Sequence, residues 1–379
     1  MPSGLMRKLN AMKTGAPKAP KTPDRPLVRR VFTCMADERL YHIRPEALRR
    51  IGHTGGAFDI EKALFLDTET TGLSGGAGTV AFLVGVGYIE KGRFTVEQLL
   101  MPTYAHEEEM LKRLSEIFSD KDTVIHFNGK SFDMPLLKSR FTINRMQDML
   151  PEFNQLDLLH PSRRLWKLRL GSCRLSELEK SVLNIEREGD IPGAEVPQRY
   201  FDFLKSGDMT LLEDVIDHNR QDILTLSDLL IRLTDIYLHP ERETDVLDQF
   251  SLGKAFEKLG EWEEAKKMYR VAAMPRAVVS AKQLKLSFCA GEANRRLYHI
   301  YRKNRKYEQA EEVLKNMVRR RQMEFCAKTE LCKLYEHRMK REREALMICR
   351  EMLKDCAPGE REAVEKRIKR LQNKLDGKD

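Results

Sequence analysis

The spacing of apolar residues changes character near residue 240. Upstream of that point, short apolar runs bounded by turn residues predict strands, and they alternate with stretches of helical period. ALFLDTET at 63–70 predicts a buried strand that ends in carboxylates. TVAFLVGVGYIEKGRFTVEQLLM at 79–101 predicts two strands joined at Lys91-Gly92, since glycine beside a polar residue suits a tight hairpin turn. EEEMLKRLSEIF at 107–118 has helical spacing, DTVIHFN at 122–128 predicts another strand, SFDMPLLKSRF at 131–141 a helix, and QLDLLH at 155–160 a short strand. Residues 174–235 are mostly helical in pattern, interrupted by GDIPGAEVP. A hairpin followed by strands alternating with helices implies an α/β domain, a mixed sheet with helices on its faces.

Downstream the strand pattern disappears. LGKAFEKLGEWEEAKKMYRVAA places Leu252, Gly253, Phe256, Ala265, Tyr269 and Ala272 at the spacing of a tetratricopeptide repeat, small residues allowing close helix contact and aromatics filling the gap. Leu297, Tyr301, Ala310 and Leu314 repeat the scheme, and a third copy runs through LCKLYEHRMKREREALMIC. The alanine-to-alanine steps are 45 and 35 residues, so only the second is near the standard period, and a plain bundle of helical hairpins is the other reading. The expected organisation is a disordered basic tail at 1–30, an α/β domain at 31–240 with its core at 60–235, and an all-α repeat domain at 241–379.

Composition adds a bias. The 379 residues include 67 Lys and Arg against 58 Asp and Glu, and the pI is near 9.1, a balance that favours polyanionic partners. No apolar run approaches the roughly 20 residues of a membrane helix, and the basic start lacks the apolar stretch of a secretory signal. Seven scattered cysteines without a C-x-x-C pair argue against a disulfide framework and a zinc site, and for a reducing cytoplasm.

The chemistry lies in misplaced carboxylates. Side chains two apart on a strand share a face, so Asp67 and Glu69 stand about 7 Å apart with no basic residue between them. A divalent cation is the simplest compensation. Asp133 follows a buried strand at the start of a helix. Asp222 lies on a helix whose apolar stripe includes Val215, Ile216, Ile223, Leu226 and Leu230, with His218 one turn before it. Hard oxygen ligands of this kind select magnesium or manganese over zinc.

Asp67-x-Glu69, Asn128-x-x-x-Phe132-Asp133 and His218-x-x-x-Asp222 resemble, in order and separation, the three motifs of the DEDD exonuclease superfamily, which has a ribonuclease-H-like fold. FLDTETTGLSGGAGT, HFNGKSFD, LDLLHPSRRLW and GDIPG, with the repeat-bearing tail, resemble the bacterial YprB-like ribonuclease-H-like proteins. The resemblance implies a 3′→5′ exonuclease that hydrolyses phosphodiester bonds with two ions of Mg²⁺ or Mn²⁺ held by Asp67, Glu69, Asp133 and Asp222. Asp67 would bridge the two, Glu69 and Asp222 would complete the site that activates the attacking water, and Asp133 would hold the second against the leaving oxygen. His218 would orient or deprotonate the water. Family members with a catalytic histidine usually place it five residues before the final aspartate, so His218, four before, stands in the register of the tyrosine members. One helical residue is about 100°, so reaching the usual position would need a bulge.

By the same analogy Thr70, Thr71, Gly72 and Leu73 would meet the last nucleotide, with Asn128 and Phe132 positioning the second motif. Phe132 as a core residue is the alternative. Arg163, Arg164, Lys167, Arg169 and Arg174 surround Trp166, a mixture suited to a single-stranded backbone with base stacking, or else a solvated helix face over a buried Trp. Asp157 reads as a hydrogen-bonding residue at a strand end. GLSGGAGT lacks the Gly-Lys-Ser/Thr ending of a phosphate loop and reads as a flexible connection. The expected partners are single-stranded DNA or RNA, and a protein held by the C-terminal repeats. Two other readings stay open: a structure-selective endonuclease on the same fold, and a non-catalytic adaptor in which the repeats act.

Overall fold

The computed structural model describes residues 26–53, 57–72, 78–187, 189, 191–274 and 282–377. Among the described residues, six strands form one mixed sheet: β1 Val28–Met35, β2 Ala63–Thr70, β3 Ala81–Glu90, β4 Arg93–Leu100, β5 Thr123–His126 and β6 Asn154–Asp157. Their order is β1-β4-β3-β2-β5-β6. The pairs β1–β4, β4–β3 and β3–β2 are antiparallel, and β2–β5 and β5–β6 are parallel. The longer helices are, in chain order, α1 Pro45–Ile51, α2 Glu107–Phe118, α3 Asp133–Ile143, α4 Leu159–Leu170, α5 Val196–Ser206 and α6 Glu213–Leu238. They continue with α7 Val246–Leu259, α8 Trp262–Ala272, α9 Lys282–Lys303, α10 Tyr307–Arg319, α11 Glu324–Leu334, α12 Glu342–Asp355 and α13 Pro358–Leu375. No helix among the described residues is long and apolar enough to cross a membrane.

The chain divides into two compact units. Of the described residues, the first holds 26–42, His53, 57–158 and 184–230; the second holds 43–52, 159–183 and 231–377. Thus 43–52 and 159–183, read from sequence as part of the α/β domain, cluster with the C-terminal helices.

In the first unit, Leu64 and Leu66 of β2 and Val84 and Val86 of β3 pack into one cluster with Leu111 and Leu114 of α2, Leu137 and Phe141 of α3, and Tyr200 and Phe203 of α5. Tyr200 stacks on Phe82 with ring centroids 4.0 Å apart, and its hydroxyl donates to the Met101 carbonyl at 3.0 Å. Alternation along β2 sends Phe65 to the other face, where it meets Phe94 at 5.5 Å. The Lys91-Gly92 turn forms as expected, both residues having positive φ (51° and 78°), the conformation of a two-residue hairpin.

β1 corrects the reading of 1–30 as a disordered tail: residues 28–30 begin a strand, and 1–25 lie outside the described residues. Its sequence, VRRVFTCM, has charge where a strand is expected to be apolar. The charge is answered from far along the chain: Arg29 Nε lies 2.6 Å from Glu97, a fully buried β4 carboxylate also held by Arg113 at 2.8 Å.

Among the described residues, the regular structure of the second unit is all helical. The helices α7 and α8, α9 and α10, and α11 and α12 pack as consecutive pairs, and α13 packs on α12. Leu252, Phe256, Ala265, Tyr269 and Ala272 are buried. A Cβ on Gly253 would stand 2.6 Å from the Tyr269 ring, so glycine lets α7 and α8 approach. Arg169 Nε of α4 pairs with the buried Asp248 of α7 at 2.6 Å.

Candidate active site

The first unit gathers carboxylates from three segments. The parallel pairing of β2 with β5 ends at Phe65, while the antiparallel pairing with β3 continues past Asp67 and Glu69 and shifts register between Glu69 and Thr70. The carboxylate-bearing end of β2 is therefore held by β3 alone, and the chain leaving β5 has room to turn towards it.

That turn is built by residues 126–133. Asn128 takes a left-handed backbone (φ 68°) and donates its N–H to Asp157 Oδ1 at 2.8 Å. Asp157, at the end of β6, thus secures the second motif, the hydrogen-bonding role expected of it. A Cβ on Gly129 would come within 2.7 Å of the His126 ring and 2.9 Å of Asp133 Oδ2, so only glycine lets the backbone pass. Asp133 then opens α3, accepting from the Thr68 hydroxyl at 2.5 Å. Phe132, 52% exposed, is no core residue.

α6 supplies the rest. Gly85 and Gly87 on β3 let this helix approach the sheet: added Cβ atoms would lie 2.2 Å from Asn219 Oδ1 and 2.5 Å from Ile223 Cγ2. Asn219, fully buried, donates to Asp67 Oδ2 at 2.8 Å and accepts from Gln98 of β4 at 2.9 Å. With Asn219 fixed, His218 and Asp222 face the β2 carboxylates. His218 Nε2 lies 3.8 Å from Glu69 Oε1 and 3.7 Å from Asp222 Oδ2. α6 is an uninterrupted α-helix here, so the imidazole reaches the carboxylates without the bulge that its register had suggested.

The electrostatics show how close the carboxylates are. Burial raises the Asp67 carboxyl well above its usual range, and the charges of Asp222, Glu69 and Asp133 add to the effect, Asn219 opposing. Glu69 is pushed up to about 8, by burial first, with Asp222 and Asp133 adding and His218 and Arg187 opposing. Asp133 rises to about 6 through burial, moderated by the Thr68 hydroxyl and backbone N–H groups. Yet the side chains of Glu69, Asp222 and His218 keep 14%, 13% and 17% of their surface. This is a cleft lined with mutually repelling carboxylates.

Such a donor set fits a hard divalent cation, which would remove the repulsion. As the side chains stand, no three His, Cys, Asp or Glu groups among the described residues converge as ligands on one point. A guanidinium answers part of the charge: Arg187 pairs with Asp222, and its Nη1 lies 3.0 Å from His218 Nδ1. Arg187, Asn219 and Thr68 escaped the sequence reading. Asn219 carried a signal, a polar residue on the apolar stripe of its helix, four positions from both Val215 and Ile223, whereas Arg187, in a segment without period, carried none.

The other expected residues separate. Thr70 donates to the Gly72 carbonyl at 2.8 Å, and Thr71 bridges to Val80 through N–H and hydroxyl, so both shape the exit of β2. Leu73, and with it most of GLSGGAGT, lies outside the described residues. Arg163, Arg164, Trp166 and Lys167 belong to the second unit. Trp166 is fully buried, which corrects its assignment as a stacking platform: no base can reach it. Arg164 donates to the Ile51 carbonyl at 3.0 Å and Lys167 to the Gly171 carbonyl, while Arg163 is exposed.

Comparison with known proteins agrees with the fold of the first unit. Residues 64–234 match the model of a family in the RNase H superfamily. Over 337 residues the chain is 33% identical to the uncharacterized protein YprB of Bacillus subtilis, covering 86% of this chain and 78% of that protein. The chain belongs to the family of Bacillus subtilis YprB and carries a ribonuclease H superfamily domain across residues 64–234.

Proposed function

We propose that the chain is a metal-dependent 3′→5′ exonuclease acting on single-stranded nucleic acid. The observation that carries this reading is the meeting of Asp67, Glu69, Asp133 and Asp222, from a strand, a helix start and a second helix, in one solvent-reached cleft, with the carboxyls of Asp67 and Glu69 raised by burial and neighbouring carboxylates and that of Asp133 by burial. Membership of a superfamily of nucleic-acid hydrolases supports it. These four carboxylates would hold two ions of Mg²⁺ or Mn²⁺; bound there, the ions would neutralise phosphoryl oxygens and acidify the attacking water. His218, whose Nε2 faces Glu69 and Asp222, would orient that water, and would deprotonate it only once Arg187, which donates to Nδ1, has moved away. Asn219 fixes the rotamer of Asp67, and Thr68 that of Asp133. Asp157 and Gly129 hold the turn that delivers Asp133.

Arg187 on Asp222 and His218 favours one other reading, a non-catalytic scaffold in which arginine is the permanent counter-ion and the helical repeats bind a protein. Degradation of end-labelled single-stranded DNA and RNA, with Mn²⁺ or EDTA, beside Asp67→Asn, separates the two. Stepwise shortening from the 3′ end that needs metal and falls about a thousandfold in the variant is expected, the several kcal/mol of charge stabilisation being lost. Internal cuts would make it an endonuclease. Absence of cleavage of either polymer would leave the scaffold.

A further inference from the structure

Charge is divided unevenly along the chain. Residues 31–230 hold 24 Lys and Arg against 32 Asp and Glu, while residues 231–379 hold 35 against 25. The acidic stretch contains the carboxylate cleft, and a polyanion gains no long-range attraction from it. The basic excess is shared by residues 1–30, with 8 Lys and Arg against one Asp, and the helical region.

Part of that excess converges at one place. Where the α9–α10 turn meets the residues after α11, an open recess of about 550 Å³ is lined by His299, Arg302, Lys303, Arg305, Tyr307 and Arg338. Every one of these six is basic or aromatic. Arg302, Lys303, Arg305 and Arg338 are exposed. Arg302 approaches Glu330 at 3.5 Å, but that carboxylate is already engaged by Lys333 at 2.6 Å and the Tyr298 hydroxyl at 2.8 Å. Lys303 Nζ lies 4.8 Å over the Trp262 ring, a contact that attracts the charge without cancelling it. Among the described residues, Lys303, Arg305 and Arg338 form no ion pair. His299 reports the surplus: after burial, the charges of Arg302 and Arg295 hold its imidazole below the ordinary range, with Glu330 and Glu292 opposing.

We propose that this recess binds backbone phosphates of single-stranded nucleic acid, a second contact besides the carboxylate cleft. Guanidinium forks match phosphate oxygens, and the Tyr307 ring offers a surface for a neighbouring base. The class of ligand rests on the nuclease reading above; the cationic recess does not.

Fluorescence anisotropy of labelled oligothymidylate and oligouridylate with the full chain in EDTA tests it without needing cleavage. The triple variant Lys303→Glu, Arg305→Glu, Arg338→Glu is compared with Lys91→Glu, Lys112→Glu, Lys205→Glu. The latter three side chains, in the first unit, are 89%, 56% and 75% exposed, and their replacement makes the same change in net charge. The recess variant is expected to bind at least about tenfold more weakly. The slope of log affinity on log salt should shrink by about 2, three lost contacts at roughly 0.7 each on a single strand. Binding equal to that of the control variant overturns the proposal. So does displacement of the oligonucleotide by equimolar polyglutamate, which would make the recess a site for an acidic protein. Should the triple variant melt early, Lys303→Ala and Arg305→Ala singly should each lower the slope by about 0.7, and an unchanged slope counts against the site. Failure of cleavage in the earlier assay with intact recess-dependent binding would sink the nuclease reading alone.

Discussion

Glu336 in the helical unit and Glu69 in the sheet unit are both carboxylates drawn largely out of water, and their surroundings move them in opposite directions. Glu336 is fully buried, yet Arg370 grips both its oxygens at 2.7 and 2.8 Å, with Lys374 at 3.1 Å and Arg367 at 3.5 Å. Burial opposes ionisation there, and the hydrogen bonds of Arg370 and Lys374 outweigh it, holding the carboxyl at about 2. Glu69 meets one imidazole and one guanidinium but three further carboxylates nearby, and burial prevails. The first arrangement is complete without a ligand. The second stores repulsion that a bound cation would release, as the proposed function requires.

The largest effect that could break this contrast is on the structural side. Glu336→Ala should destabilise the helical unit by about 3 kcal/mol, the lower end for breaking a buried pair because its cations are partly solvated. Urea denaturation followed by far-UV circular dichroism reads the loss; a change within error would mean that Glu336 contributes no more than a surface pair.

pH sharpens the contrast next. The folded chain keeps protons on Glu69 and Asp133 up to about 8 and about 6, which the unfolded chain has released near 4.5 and 3.8. The folded state binds more protons in that window, so stability of the metal-free protein should fall as pH rises from about 5 to 8. Glu336 acts the other way: its contribution is present above the unfolded value of 4.5 and is lost as pH falls towards about 2. Melting temperature in EDTA should therefore peak near pH 5, and Mn²⁺ should raise it more at pH 8 than at pH 5.5. A flat profile from 5 to 8 with no gain from Mn²⁺ would contradict the coupled cluster.

The smallest expected effect concerns Arg187. If its guanidinium competes with cations for Asp222, Arg187→Ala should strengthen Mn²⁺ binding by up to about tenfold in titration calorimetry, roughly one charge-assisted hydrogen bond. Weaker binding would instead make the arginine a supporting member of the metal-loaded site.

The particular residues show what could be read in advance. β2 to β5 were legible because each alternates or runs apolar between turn residues, and the Lys91-Gly92 turn declared its own conformation. Of the strand expected at 155–160 only 155–157 is strand, in β6, and Leu159 already opens α4. The three acidic motifs were legible because carboxylates at the end of an apolar run have few structural uses. β1 was hidden, since Arg29 suits a strand only once Glu97, far along the chain, is buried beside it. Trp166 misled because basic neighbours surround both a stacking platform and the exposed side of a buried ring. In sequence the two look alike.

By itself, the sequence determined the period of most elements, the helical pattern of the C-terminal region, and the identity of the acidic groups, all of which depend on neighbours a few residues apart. Tertiary structure decided which of those groups meet. Gly85 and Gly87 bring α6 onto the sheet, Asn219 fixes it against Asp67, and Asp157 with Gly129 turns Asp133 into the cleft. It also decided that 43–52 and 159–183 cluster with the C-terminal helices, and that Arg187 touches Asp222. Close approach and charge coupling act through space over a few ångströms, between residues far apart in the chain, 152 positions in the bond from Asn219 to Asp67. Local pattern has no record of such distances.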